Sequence, residues 1–265
     1  MKIRNKIICG DCISEMMNLP SNIIDLAFAD PPYNLNKDYG VYADSNSPID
    51  YLEWTEKWLS EILRLLKPGG SFYLLNLPKW AIHHAVFLDQ FLYRQNTIAW
   101  DALSTPRGKI MPAHYSLLYY TKSRTYTFNQ LTSKHNWTHC ARSKCIQERT
   151  TSNLPDKPFS DIWTNIYRVK HRKKRHVDHP TQLPLNFMER IILTSSNKGD
   201  LIFDPFLGVG TTAIAAKLLK RDYLGIEINP EYVQESQKNL KQISLFQSRL
   251  EFQNQQHPLN LDNFL

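Results

Sequence analysis

Two short stretches of the 265-residue chain carry residue types that do chemistry together. The first is Asp30-Pro31-Pro32-Tyr33, which closes the apolar run "IIDLAFA". Proline fixes φ and has no amide donor, so Pro31 and Pro32 cannot continue a sheet and form a stiff, extended loop. Such a loop offers a carboxylate acceptor, a carbonyl fixed by the proline pair, and a ring able to stack on a flat ligand. Those are the requirements for holding an exocyclic amine on a nucleobase. A lone Asp-Pro is commonly a turn or a helix cap, but the four residues together are far rarer by chance.

The second stretch is "DPFLGVGTTA", Asp204 to Ala213, with Gly208 and Gly210 between a strand and a helix. Glycine permits a tight turn and close approach of a ligand to backbone, and Glu227, ending the next strand, can accept hydrogen bonds from ribose hydroxyls. This is a nucleoside-binding arrangement. Gly208, Gly210 and Ala213 also satisfy a G-x-G-x-x-A dinucleotide pattern, with Glu227 at roughly the expected distance. A nicotinamide-dependent oxidoreductase is therefore an alternative. Against it, the pattern lies near the end of the chain behind Asp204-Pro205, whereas a pyrophosphate needs an open helix N-terminus. On this turn alone the cofactor stays undecided.

Both stretches need a scaffold of strands with loops at their carboxyl ends. Short apolar runs alternate with amphipathic segments along the chain, the pattern of parallel strands crossed by helices. "KIIC" and "IIDLAFA" read as the first strands. Asp50 and Glu53 suggest a capping box for a helix with Leu52, Leu59, Ile62, Leu63 and Leu66 on one face, ended by "KPGG". Strand "SFYLLN", a helix from Lys79 to Tyr93, and strands "NTIAW" and "YSLLYYT" follow. From about Arg124 to Asp178 the periodicity fades, which predicts a loop-rich insertion. Helix "LPLNFMERIILTSS", strand "DLIFD", a helix from about Thr211 to Lys220 and strand "DYLGIEI" come next. Asn229-Pro230 then caps a last helix, and the tail reads as a peripheral extension. The fold class expected is a doubly wound α/β sheet with one insertion.

The chain is 42% hydrophobic, enough for one substantial core. Its net charge of +7 is concentrated in "RVKHRKKRH", Arg168 to His176. Arg168, Lys170, Arg172, Lys173, Lys174 and Arg175 are candidate phosphate contacts, although a charge run is more often only a solvated face. Trp137, Trp163 and Tyr167 nearby are candidates for stacking on bases, with buried packing as the preferred role. No apolar run suits a signal peptide or a membrane span, so a soluble, cytoplasmic protein is expected. Four cysteines do not suggest a disulfide scaffold. Zinc at Cys9 and Cys12, or at Cys140 and Cys145 with His135 and His139, is the less favoured reading, because the second pair lacks tight ligand spacing. Cys9 is expected in the strand core and Cys12 at a helix start, with no metal.

Taken in order, "GDC" (Gly10 to Cys12), "DPPYNL" (Asp30 to Leu35), "LKPGGSFYL" (Leu66 to Leu74), "HPTQLP" (His179 to Pro184) and "DPFLGVGTT" (Asp204 to Thr212) resemble the motifs of DNA amino-methyltransferases that use S-adenosylmethionine. The class resembled is the one whose catalytic loop precedes the cofactor turn, including adenine-N6 enzymes of restriction-modification systems. The resemblance runs from about Ile7 to Leu240. It implies a circularly permuted, mostly parallel, seven-stranded methyltransferase sheet. Residues 1–123 would be the catalytic half, 124–178 the target-recognition region, 179–243 the cofactor-binding half and 244–265 a C-terminal extension.

By the same resemblance, Glu227 would hold the cofactor ribose and Asp11 its adenine amine. Asp204, Phe206, Gly208 and Gly210 would surround its methionine and ribose portions, and His179 and Thr181 its amino-acid end. Cys12, Asp30, Pro205, Thr211 and Ile228 count among the cofactor contacts. Asp30, Pro31, Pro32 and Tyr33 would be catalytic, acting on a base flipped from the duplex. Leu183 departs from the lysine frequent after "HPTQ", which removes any salt bridge from this position to the cofactor carboxylate. A leading Ser in place of Asp30 is more typical of cytosine-N4 enzymes, so Asp30 favours adenine. A catalytically silent DNA-binding module is a further alternative, without a lost key residue to support it. The partners brought into view are double-stranded DNA, a separately acting restriction endonuclease and a second copy of the chain. The bacterial nucleoid would be the place of action.

Overall fold

The computed structural model describes residues 3–35, 45–101, 113–133, 157–164, 166 and 183–256, the side chains of Ser133, Lys157 and residues from 244 onward excepted. In chain order the elements are β1 (Lys6–Cys9), α1 (Cys12–Met17), β2 (Ile24–Ala29), α2 (Pro48–Leu65), β3 (Leu66–Asn76), α3 (Pro78–Leu88), β4 (Tyr93–Trp100) and β5 (Tyr115–Thr121). They continue with β6 (Thr132–Ser133), β7 (Lys157–Pro158), β8 (Ile162–Trp163), α4 (Leu185–Ser195), β9 (Leu201–Asp204), α5 (Thr211–Leu218), β10 (Asp222–Glu227) and α6 (Pro230–Gln256).

The main sheet has the order β1-β10-β9-β2-β3-β5-β4-β8. All pairings are parallel except β3 with β5 and β5 with β4. The first strand thus lies beside the last, and β9, late in the chain, pairs with β2. Eight strands replace the seven expected: the eighth, β8, comes from the insertion and pairs through only Ile162 and Trp163, too short to leave a periodic signal. The insertion also supplies the small antiparallel pair β6 and β7.

Strand residues alternate between two cores. Ala27, Ala29, Phe72, Leu74, Leu118 and Tyr120 face α1, α2 and α3, which contribute Met16, Trp58, Leu59, Ile62 and Leu88. Leu26, Phe28, Tyr73, Leu75 and Leu117 face α4 and α5 through Phe187, Met188, Ile191, Ala215 and Ala216. Each large apolar side chain buried in this way contributes roughly 1.5–3 kcal/mol. The helix after β2 therefore lies on one face and the helix after β9 on the other. Two neighbouring parallel strands whose following helices diverge leave a crevice at their carboxyl ends.

Several local expectations are corrected. The cap of α2 is Ser47, whose hydroxyl accepts from the Asp50 amide at 3.2 Å, because Pro48 opens the helix two residues before Asp50. Its buried face is more aromatic than expected, with Tyr51 and Trp58 fully buried. "KPGG" does not merely end the helix: it lies inside β3, as a register shift against β2. Helix α3 stops at Leu88, and Tyr93 opens β4 instead of closing the helix. Cys9 is exposed, since β1 is an edge strand. Asn229 caps α6 as expected, its Oδ1 accepting from the Glu231 amide at 2.9 Å. The α6 backbone stays helical to Gln256, through part of the expected tail.

Candidate active site

The crevice at the β9/β2 boundary is a cleft of about 1070 Å³, its open mouth included. Asp30, Pro31, Pro32 and Tyr33 line it from the β2 side, and Asp204, Pro205, Phe206, Gly208 and Thr211 from the β9 side. Asp11 and Cys12 after β1, and Glu227 and Ile228 after β10, complete it. The two sequence stretches singled out for chemistry thus share one cavity. Gly210 does not line it.

On the β9 side the turn bends its amides into carboxylates. Glu227, 8% exposed, accepts from the Gly208 amide at 2.7 Å and the Asn229 amide at 2.9 Å. Burial pushes its carboxyl up, against the pull of those amides. A carboxylate has about four lone-pair positions, so it can accept from a ligand hydroxyl as well. Asp204 is almost fully buried and accepts from the Thr212 hydroxyl at 2.6 Å and the Phe206 amide at 2.9 Å. Burial, with Asp30 and Glu227 nearby, raises its carboxyl to about 7. Gly210 sits at φ 92°, and an added Cβ there would lie 2.7 Å from Ser236 Cβ on α6. Its requirement is the turn and the packing of α6.

Asp11 caps α1, its Oδ1 accepting from the Ser14 amide and the Ser14 hydroxyl, both at 2.9 Å. Cys12 opens that helix, as expected, and burial together with Asp11 pushes its thiol up to about 12. A thiol held protonated is a wall and not a nucleophile.

On the β2 side the loop is held from beneath. Tyr51 Oη donates to the Pro32 carbonyl and Trp80 Nε1 to the Tyr33 carbonyl, each at 2.8 Å. Tyr33 is 6% exposed, its ring leaning on Tyr115 at a centroid distance of 5.7 Å and its hydroxyl donating to Asp30 Oδ1. The phenol already occupies one acceptor that the sequence reading reserved for a ligand amine.

Sequence reasoning missed Trp54 of α2, which lines the cleft and packs on Phe206 at 5.8 Å, with Trp58 behind at 5.1 Å. Its place three residues after Tyr51, among apolar helix positions, gives no sign of a ring that faces a ligand. Leu183 does line the cleft. Trp163 is buried against Phe187, the packing role preferred for it. His179, Thr181, Arg168, Lys170, Arg172, Lys173, Lys174, Arg175, Trp137 and Tyr167 lie outside the described residues, as do His135, His139, Cys140 and Cys145. Among the described residues no group of three or more His, Cys, Asp or Glu could hold a metal ion, and no helix is long and apolar enough to cross a membrane.

Residues 24–238 match the model of the N6_N4_Mtase family, DNA methylase. The chain belongs to this family of DNA methylases. The type II methyltransferase M.BamHI of Bacillus amyloliquefaciens is 38% identical over 245 residues, covering 88% of this chain and 57% of that protein. The DNA adenine methyltransferase YhdJ of Escherichia coli K12 is 31% identical, covering 86% of this chain and 79% of that one. The chain thus spans little more than half the length of the first relative and most of the second. Among solved structures, M1.HpyAVI in complex with S-adenosylmethionine superposes with a TM-score of 0.56 at 23% identity, over 88% of this chain and 98% of that one. At that identity the likeness speaks for the fold, an α/β methyltransferase fold.

Proposed function

We propose that this DNA methylase transfers a methyl group from S-adenosylmethionine to N6 of an adenine flipped out of double-stranded DNA. The observation carrying the proposal is the meeting of Asp30-Pro31-Pro32-Tyr33 with the Asp204–Glu227 turn in one cleft. The residues present fit the cofactor. Among the described residues lining the cleft there are four carboxylates (Asp11, Asp30, Asp204 and Glu227) and no lysine or arginine. Even with Asp204 partly protonated near neutral pH, the remaining negative charge suits a sulfonium and an ammonium and repels the pyrophosphate of a nicotinamide dinucleotide. The named relatives support the same reading: one is a DNA adenine methyltransferase, and one structure was solved with S-adenosylmethionine.

In this reading Glu227 accepts from the ribose hydroxyls and Asp11 from the cofactor's adenine amine. Phe206, Gly208, Pro205, Thr211, Cys12 and Ile228 form the walls, Asp204 stays a buried brace of the turn, and His179 with Thr181 holds the amino-acid end. When bound, the cofactor supplies an electrophilic methyl on its sulfonium. The protein's task is to make a poor nucleophile attack it. The adenine amine has its lone pair delocalised into the ring, so acceptors that favour a tetrahedral nitrogen lower the barrier. Asp30 and the Pro31 carbonyl accept the two N–H bonds and turn the lone pair toward the methyl. Asp30 or solvent would take the surplus proton once N6 has accepted the methyl carbon, the C–S bond electrons staying on sulfur. Tyr33 releases Asp30 to the entering amine and lays its ring against the base.

Residues 1–123, 179–243 and 124–178 then divide into catalytic, cofactor-binding and target-recognition parts, with 244–265 as an extension. The basic run from Arg168 to Arg175 contacts phosphates. Duplex DNA is the partner. A separate restriction endonuclease and self-association are further expectations, checked by neighbouring-gene nuclease assays and sedimentation.

Transfer of labelled methyl from S-adenosylmethionine to unmethylated duplex DNA, followed by nucleoside digestion, tests the proposal. N6-methyladenine is expected. Methylcytosine alone refutes the base assignment, and no DNA label at all refutes the activity.

A further inference from the structure

We infer that Tyr51 and Trp80 are positioning residues for methyl transfer, holding the Asp30–Tyr33 loop so that the Pro31 carbonyl is the backbone acceptor left to face the base. The inference rests on the function proposed above. A loop of Asp-Pro-Pro-Tyr carries consecutive carbonyls, and prolines restrict φ without choosing which carbonyl points into the cleft. The structure ties down two of them from below. The Pro32 carbonyl is taken by Tyr51 Oη and the Tyr33 carbonyl by Trp80 Nε1, both at 2.8 Å. Among the described residues no hydrogen bond reaches the Pro31 carbonyl.

The two donors come from different helices and brace one another. Their rings lie 4.6 Å apart, Tyr51 is fully buried, and Trp80 is 7% exposed. Asn76, at the carboxyl end of β3, donates to Tyr51 Oη at 3.1 Å, which aims the phenol's own proton at Pro32. Neither donor is among the residues lining the cleft, so both act through the loop. Losing either donor would leave a carbonyl unsatisfied and let the peptide planes on both sides of Pro32 rotate. Small displacements of a reacting group have large kinetic costs.

The test compares Tyr51→Phe and Trp80→Phe with the wild type in single-turnover methyl transfer to unmethylated duplex DNA. Cofactor and DNA affinities and thermal melting are measured in parallel. For each variant the transfer rate constant per folded molecule is expected to fall about tenfold, with both dissociation constants within about twofold, as for a lost aligning hydrogen bond. A fall in either variant with affinities held supports the inference. Unchanged rate constants in both, or losses that only follow the folded fraction, overturn it. Should Trp80→Phe fold poorly, Tyr51→Phe, which removes a single oxygen, carries the test alone. The functional reading is judged separately: if the wild type labels cytosine the base assignment fails while the variant ratio still reports on the anchoring.

Discussion

The two loops that meet across the cleft are stiffened by opposite means. After β2 the chain uses prolines, which have no amide to satisfy, and the Pro32 and Tyr33 carbonyls are tied down by side chains from α2 and α3. After β9 it uses glycines at positive φ, and its amides are tied down by the buried carboxylates Asp204 and Glu227. One loop brings Asp30 and Pro31 to the cleft wall, and the other is wrapped around acidic groups. Under the proposed function this contrast is a division of labour, in which the proline loop would orient a nucleophile and the glycine turn would shape a cationic ligand's pocket.

Lesions on the two sides should therefore separate rate from affinity. Asp30→Ala is expected to lower single-turnover transfer about 10²- to 10³-fold, the scale of removing one preorganised polar group from a transition state. Cofactor affinity, read by calorimetry, should change only severalfold. An active variant removes Asp30 as the amine acceptor. Glu227→Ala should do the reverse, weakening the cofactor roughly 10- to 100-fold through lost charge-assisted hydrogen bonds, with the rate at saturating cofactor much less affected. If both variants lose rate and affinity alike, the division of labour is wrong.

The basic run serves as an outside reference. Replacing Lys173, Lys174 and Arg175 by glutamine should weaken binding to all DNA sequences and flatten the log-affinity against log-salt slope by about 2–3. An unchanged slope returns the run to a solvated face. Gly210→Ala tests the turn itself: positive φ and the approach to Ser236 should together cost about 2–3 kcal/mol of stability in denaturant melts. A further effect concerns pH. Asp204 has its carboxyl raised from the ordinary 3.8 to about 7, so the fold favours its protonated form. That contribution, at most about 4 kcal/mol, is whole below about pH 4 and is lost as pH rises through about 7. Asp204→Asn should flatten the decline in melting temperature over this range, and an equal decline in both proteins would contradict it.

Much of this was legible in the chain because the chemistry is local. Strand ends, the proline loop, the glycine turn and Glu227 are each written in a few consecutive residues, and all meet where expected. What escaped was non-local. Tyr51 and Trp80 reach the loop from 19 and 47 residues away, and buried aromatics at helical spacing look like core. Ser47 was hidden because Asp50 with Glu53 forms an equally good cap on paper, and only Pro48 decides. The two-residue β8 has no period to read. Cys9 alternates correctly for a buried strand, but its strand has a neighbour on one side only.

In the proposed reaction the acceptor loop and the cofactor pocket act on one methyl group. A crystal structure of the protein with S-adenosylmethionine tests it most directly. The methyl carbon is expected to point at the space bounded by Asp30 and the Pro31 carbonyl, with Glu227 on the ribose. A cofactor bound outside this cleft, or inside it with its methyl turned away from Asp30, would contradict it.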